Sequence, residues 1–213
     1  MSGFFLTVEG VDGAGKSTQA RRLAAHLESG GREVVATREP GGAPGAEEIR
    51  RLLLTGDPAR WSPATETLLF FAARRDHLER TIRPALARGA VVVCDRFTDS
   101  TRAYQAAARP DAAGATRRLI DLLHAEAIGL DPDLTLIFDM DPEAAHARGL
   151  ARGGDEARFE RLGPGFQKGL RRAFRDIAEA EPRRCAVVDA AGTEDEVFAR
   201  VLTAVEARLG AAV

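Results

Sequence analysis

The chain has 213 residues, 45% of them hydrophobic and 29% charged, with a formal net charge of −2. That is enough for one domain with a full core, and the near-balanced charge supplies no general field for nucleic acid or an acidic membrane. Two cysteines, Cys94 and Cys185, both inside apolar runs, argue against a disulfide scaffold and for reduced core thiols in the cytoplasm.

The first predicted element is a strand over Phe4–Glu9, with no basic leader ahead of it and so no expected signal peptide. It enters a glycine-rich stretch, GVDGAGKST (Gly10–Thr18), and an amphipathic helical pattern follows over Lys16–Ser29, ending in glycines. Further strands are predicted at Glu33–Arg38, Ala90–Asp95, Leu134–Met140 and Cys185–Asp189. Helical patterns fall at Ala46–Leu54, Pro63–Ala87, Ala115–Ile128, Pro142–Leu150, Gly165–Ala180 and Glu194–Leu209. Pro142 after Asp141 fits a first helical position behind its cap. Strands as apolar as VVVC and LTLIF are those covered on both faces, and none of the apolar runs is long enough to span a bilayer. The alternation predicts a parallel sheet in an α/β layer fold, one domain over 1–213 without repeat or linker. Two segments interrupt it. One is the Gly/Pro loop Glu39–Gly45. The other, about 149–165, is either a solvated loop or a short lid carrying Arg148, Arg152, Arg158 and Arg161.

Glycine buries no side chain, so Gly10, Gly13 and Gly15 need another reason to stand together. Gly10-x-x-x-x-Gly15-Lys16-Ser17 is the phosphate-binding loop G-x-x-x-x-G-K-[ST], placed between a strand and a helix as its mechanism requires. Backbone N–H groups from Gly10, Val11, Asp12, Gly13, Ala14, Gly15, Lys16, Ser17 and Thr18 would cradle a nucleotide's phosphates at the helix N-terminus. Lys16 would reach the terminal phosphates and Ser17 a Mg²⁺ ion. Lys16 and Lys168 are the only lysines in an arginine-rich chain, which weakens any reading of Lys16 as an incidental surface charge. The chain has no asparagine, so it lacks the N-K-x-D guanine reader of GTPases.

Five stretches in order, VEGVDGAGKSTQ, TREPGG, LLFFAARR, DRFTDSTRAYQ and PDLTLIFDMDPE, resemble the thymidylate kinase family. The resemblance covers nearly the whole chain. It implies a P-loop kinase fold with a five-stranded parallel sheet, helices on both faces and a short lid. It also implies phosphoryl transfer from MgATP to dTMP, giving dTDP and ADP, in a cytoplasmic homodimer that binds neither nucleic acid nor membrane. By resemblance Arg96 holds the acceptor phosphate and bridges toward the γ-phosphate, Asp95 acts on Mg²⁺ through water, and Arg50 grips the same acceptor phosphate. Phe70 stacks on thymine, Arg74 donates to its O4 carbonyl, and Thr101 contacts the pyrimidine edge. Tyr104 crowds the sugar 2′ position, and Gln105 closes the same motif in the acceptor set. Asp12, an odd carboxylate in a phosphate loop, contacts the 3′-hydroxyl. Gly13 departs from those members with arginine in the loop. That implies the bacterial arrangement, in which lid arginines, here Arg152 and Arg158, meet the transferring phosphoryl group.

No general base is required when the acceptor is already an oxyanion, and His26, His77, His124 and His146 read as core or surface residues. Other nucleoside monophosphate kinases remain open as alternatives. So does a nucleoside kinase using Glu39 as base, and a P-loop protein that binds nucleotide without turnover.

Overall fold

In a computed structural model of the protein, the described residues are 3–57, 60–107, 114–152 and 163–210, without the side chains of 107, 146, 149–152, 163 and 164. Strands β1 (Phe4–Gly10), β2 (Val34–Arg38), β3 (Val91–Asp95), β4 (Leu134–Asp139) and β5 (Cys185–Asp189) form one parallel sheet in the order β2-β3-β1-β4-β5. The central strand β1 therefore has β3 on one side and β4 on the other. Their carboxyl ends, where ligands bind in such sheets, bring Gly10, Asp95 and Asp139 into one row.

Helices α1 (Lys16–Ser29), α2 (Pro44–Leu54) and α3 (Pro63–His77) come before β3, as does α4 (Arg83–Ala87); α5 (Thr98–Thr101) and α6 (Ala115–Leu123) lie between β3 and β4. Helix α7 (Pro142–Arg152) follows β4, α8 (Gly163–Ala180) leads to β5, and α9 (Glu194–Leu209) closes the described chain. Alternate residues of β3 enter different apolar clusters. Val91 and Val93 join Leu23 and Leu27 of α1 and Val197 and Val201 of α9. Val92 and Cys94 join Phe5, Phe71, Leu78, Ile82 and Ile120. A strand of period two delivers this outcome when helices cover both faces of the sheet. Cys94 and Cys185 are buried free thiols, as expected.

The predicted helix Pro63–Ala87 is continuous but not uniform. Pro84 has no N–H for the Arg80 carbonyl, and the helix widens into a π turn over Leu78–Ile82, where Arg83 N–H reaches back to Leu78. Ala115–Ile128 likewise ends in a π turn, His124–Ile128, and Gly129 turns left-handed after it. Helices α7 and α8 run further toward each other than predicted, to Arg152 and from Gly163, which shortens the expected 149–165 lid at both ends. A helical segment that the sequence pattern did not announce runs from Thr98 through a π stretch, Arg102–Ala107.

Candidate active site

The phosphate loop joins β1 to α1 with Gly15 left-handed at the helix start. Gly10 (φ 132°) lies against the Phe138 carbonyl of β4. Gly13 (φ 85°) lies so close to α7 that a Cβ there would overlap the Ala145 carbonyl oxygen. A side chain at position 13 is thus excluded by backbone as well as by conformation.

A cleft of about 650 Å³ opens over this loop. Asp12, Gly13, Gly15, Lys16, Ser17, Arg50, Asp95 and Arg96 all line it, so residues that the sequence predicts for the donor loop, for the acceptor phosphate and for the metal share one space. Lys16 is buried, and its Nζ donates to the Val11 carbonyl at 2.7 Å and lies 4.0 Å from Asp12. Burial, then the like charge of Arg96, lowers its pKa to about 8. Ser17 donates to Oδ2 of Asp95, while Oδ1 of Asp95 is buried without a hydrogen-bond partner among the described residues. Arg50 donates to the Pro40 carbonyl at 2.6 Å, across a Glu39–Pro40 peptide that is cis.

Arg96 follows β3 with φ 75°, the one non-glycine residue in the left-handed region among those described. Its guanidinium donates to Asp12 at 2.5 Å, to Ser100 at 2.9 Å and to the Gly10 carbonyl and Tyr104 hydroxyl at 3.2 Å. Tyr104 donates in turn to Asp12 at 2.7 Å. Burial alone would raise Asp12, but Arg96 and then Lys16 hold it down at about 2. Burial opposes the charge of Arg96, yet Tyr104, Asp12, Asp95 and Glu9 together raise its pKa above the usual guanidinium value. This pairing resolves the odd carboxylate of the loop: Asp12 is neutralised by the arginine that faces it.

Beside the cleft lies a second layer. Arg74 is buried; its Nε donates to Glu39 at 2.7 Å and one terminal nitrogen to Thr101 at 3.0 Å. Its guanidinium carbon sits 4.9 Å from the centre of the Phe71 ring and 5.1 Å from that of Phe97. The other terminal nitrogen is buried with no partner among the described residues. Phe70, half-buried, packs at the edge of the main core, and Gln105 donates to Glu66 at 3.3 Å. His77 is a core residue that contacts Glu39 at 3.1 Å and Thr37 at 2.7 Å. Both oxygens of Glu39 are therefore engaged, which leaves it poorly placed as a free base. Arg152 ends α7 and Arg158 lies outside the described residues, as do the side chains of both.

Three comparisons bear on this arrangement. The thymidylate kinase family model matches residues 8–201. The chain belongs to the thymidylate kinase family. A thymidylate kinase from Dinoroseobacter shibae is 59% identical over 200 residues, covering 94% of this chain and 95% of the relative. One from Jannaschia sp. is 58% identical over 212 residues, covering all of both chains. The crystal structure of thymidylate kinase from Ehrlichia chaffeensis superposes with a TM-score of 0.72 at 35% identity, covering 95% of this chain and 98% of that one.

The geometry also marks what residue patterns miss. Glu9, Ser100 and Asp99 carry much of the polar framework around Arg96, and none was singled out from sequence. The signal for Glu9 was available: it is a carboxylate in the otherwise uncharged run FFLTVEG.

Proposed function

We propose that this enzyme transfers the γ-phosphoryl group of ATP to dTMP, producing dTDP and ADP for dTTP synthesis. The observation that carries the reading is the direct bonding of acceptor-side residues to the donor loop. Arg96 and Tyr104 both hang on Asp12, so groups suited to an acceptor nucleotide sit beside the groups that cradle ATP. Phosphoryl transfer needs this positioning and charge neutralisation more than covalent help. Lys16 serves the β- and γ-phosphates, Arg96 and Arg50 the acceptor phosphate, and Asp12 the 3′-hydroxyl. The nitrogen of Arg74 that has no partner among the described residues suits a carbonyl at the base 4-position and opposes the amino group that cytosine carries there. Phe70 stacks on the base, Thr101 and Gln105 border it, and Tyr104 disfavours a 2′-hydroxyl. Because Gly13 excludes a loop arginine, Arg152 and Arg158 supply the remaining positive charge.

Ser17 and Asp95 suit Mg²⁺: both are hard oxygen donors, and one buried oxygen of Asp95 has no partner among the described residues. When bound, the ion neutralises charge on the nucleotide phosphates. Among the described residues no helix is long and apolar enough to cross a membrane, in keeping with a cytoplasmic enzyme, and we place it there as a homodimer.

The test is ADP release from MgATP with dTMP, dUMP, UMP, CMP and AMP in turn. Rapid turnover with dTMP and little with UMP or CMP is expected. Preference for another monophosphate removes the base and sugar assignments, and nucleotide binding without ADP release removes the kinase reading.

A further inference from the structure

We infer that Glu9 is a positioning residue for Arg96: its carboxylate fixes the turn after β3 that aims the guanidinium at the acceptor phosphate, and it does so partly through Ser100. The inference rests on the proposed role of Arg96.

Glu9 is fully buried near the end of β1. Its Oε1 accepts from the Phe97 N–H at 2.7 Å and the Ser100 N–H at 3.2 Å, and its Oε2 accepts from the Ser100 hydroxyl at 2.6 Å. Phe97 stands at the N-cap of α5, and that cap has no side-chain hydrogen bond of its own. Glu9 thus does from a neighbouring strand what a local cap does, taking the N–H groups of the cap and third positions. The two peptides flanking Arg96 are both held by β1, since Arg96 N–H bonds the Val8 carbonyl at 3.0 Å and Phe97 N–H bonds Glu9. A non-glycine residue at φ 75° persists only where its surroundings over-determine it. Glu9 and Val8 supply that surrounding together with the Cys94 thiol, which donates to the Arg96 carbonyl at 3.0 Å.

Ser100 extends the control to the guanidinium. A hydroxyl has one proton to give and lone pairs to accept with, and a carboxylate only accepts. The Ser100 proton therefore points to Glu9 and its lone pairs face Arg96, which donates at 2.9 Å. A glutamine of the same shape offers an amide N–H to Ser100, and the relay loses its polarity. Glu9 and Ser100 bond none of the groups assigned to the base or the sugar; only Arg96 borders the sugar side, through Asp12 and Tyr104, so the main consequence falls on ligands that carry a phosphate.

That selectivity is the test. Calorimetric titrations with dTMP and with thymidine are run on the enzyme and on Glu9→Gln, Ser100→Ala and Arg96→Lys. The measurements are made at about pH 8, since burial, with Asp99 nearby, raises Glu9 to about 7. Glu9→Gln should weaken dTMP about tenfold or more while moving thymidine less than about twofold, and Ser100→Ala should do the same to a smaller extent. Equal losses for both ligands mean that Glu9 only supports the fold, and unchanged dTMP affinity means that it does not act on Arg96; either overturns the inference. Arg96→Lys reports on the underlying assignment. If it leaves dTMP affinity intact, the role of Arg96 falls and the inference with it. If it weakens dTMP selectively while the Glu9 and Ser100 variants do not, the inference falls alone. Should Glu9→Gln fail to fold, Ser100→Ala decides, because it breaks the relay and keeps the carboxylate with its two backbone bonds.

Discussion

At the residue scale, the site is held by charges placed where burial works against them. Glu9 shows the tension with stability. Burial and then Asp99 raise it from an ordinary 4.5 to about 7, against the pull of Arg96; Lys16 also faces it. A carboxyl with a raised folded pKa keeps its proton in the folded state while the unfolded chain has already released it. Stability from this group is therefore fully present below pH 4.5 and falls as pH rises toward 7, by about 3 kcal/mol in all. Denaturant unfolding at a series of pH values should show that Glu9→Gln loses stability less steeply than the parent between those limits; parallel curves would remove the assignment. Gly13 carries the opposite kind of constraint, one of space. Gly13→Ala forces a left-handed alanine against the Ala145 carbonyl, at a cost of about 1–3 kcal/mol and with α7 displaced. A fall in Tm together with weakened ATP binding is expected, and an alanine variant with unchanged ATP affinity would contradict the packing.

At the element scale, regular apolar periodicity made most boundaries legible. Lys16–Ser29, Cys185–Asp189 and Glu194–Leu209 fall where the sequence pattern places them, and the other strands differ by a residue at an end. What stayed hidden has a physical cause in each case. The segment from Thr98 shows no clear apolar stripe because its buried face is largely polar: Thr98, Asp99, Thr101 and Gln105 are buried beside Ala103 and Tyr104. The π turns insert one residue into a helix and leave its apolar spacing nearly unchanged, so periodicity cannot reveal them. The same polar face explains how α5 is fastened. Asp99, buried, receives two hydrogen bonds from Arg184 at 2.6 and 3.1 Å and one from Arg102 at 2.9 Å. Arg184 also donates to Thr135, which pairs with Thr7, so α5 is tied to β1, to β4 and to the residue that leads into β5. Breaking a buried pair from one side leaves a charge behind. Arg184→Met should cost about 3 kcal/mol, and pairing it with Asp99→Asn should recover part of that. Chemical denaturation of the two variants measures it, and equal losses would show that Asp99 is satisfied without Arg184.

At the scale of the whole molecule, alternation of strands and helices announced a parallel sheet but not its order. Nothing local in β1 says that it is central; that follows from which strands pack on both its sides. The order β2-β3-β1-β4-β5 is what sets the phosphate loop beside Arg96, a proximity that the motifs, 86 residues apart in the Arg96–Gly10 bond, do not contain. The apolar surface left over points to assembly. Leu52, Leu68 and Leu122 are 42%, 51% and 59% exposed, and they lie on α2, α3 and α6, of which α3 packs against both others. Single exposed leucines are ordinary, whereas several on adjoining helices suit a self-complementary face. Val187, the other large apolar residue exposed among those described, lies on β5 at the far edge of the sheet from β2 and serves as a control. Sedimentation at micromolar concentration should give a dimer for the parent chain and for Val187→Glu, and a monomer for Leu68→Glu and Leu122→Glu. A monomeric parent would refute the dimer itself. A dimer lost with Val187→Glu and kept with both leucine variants would move the interface from the helices to the sheet edge.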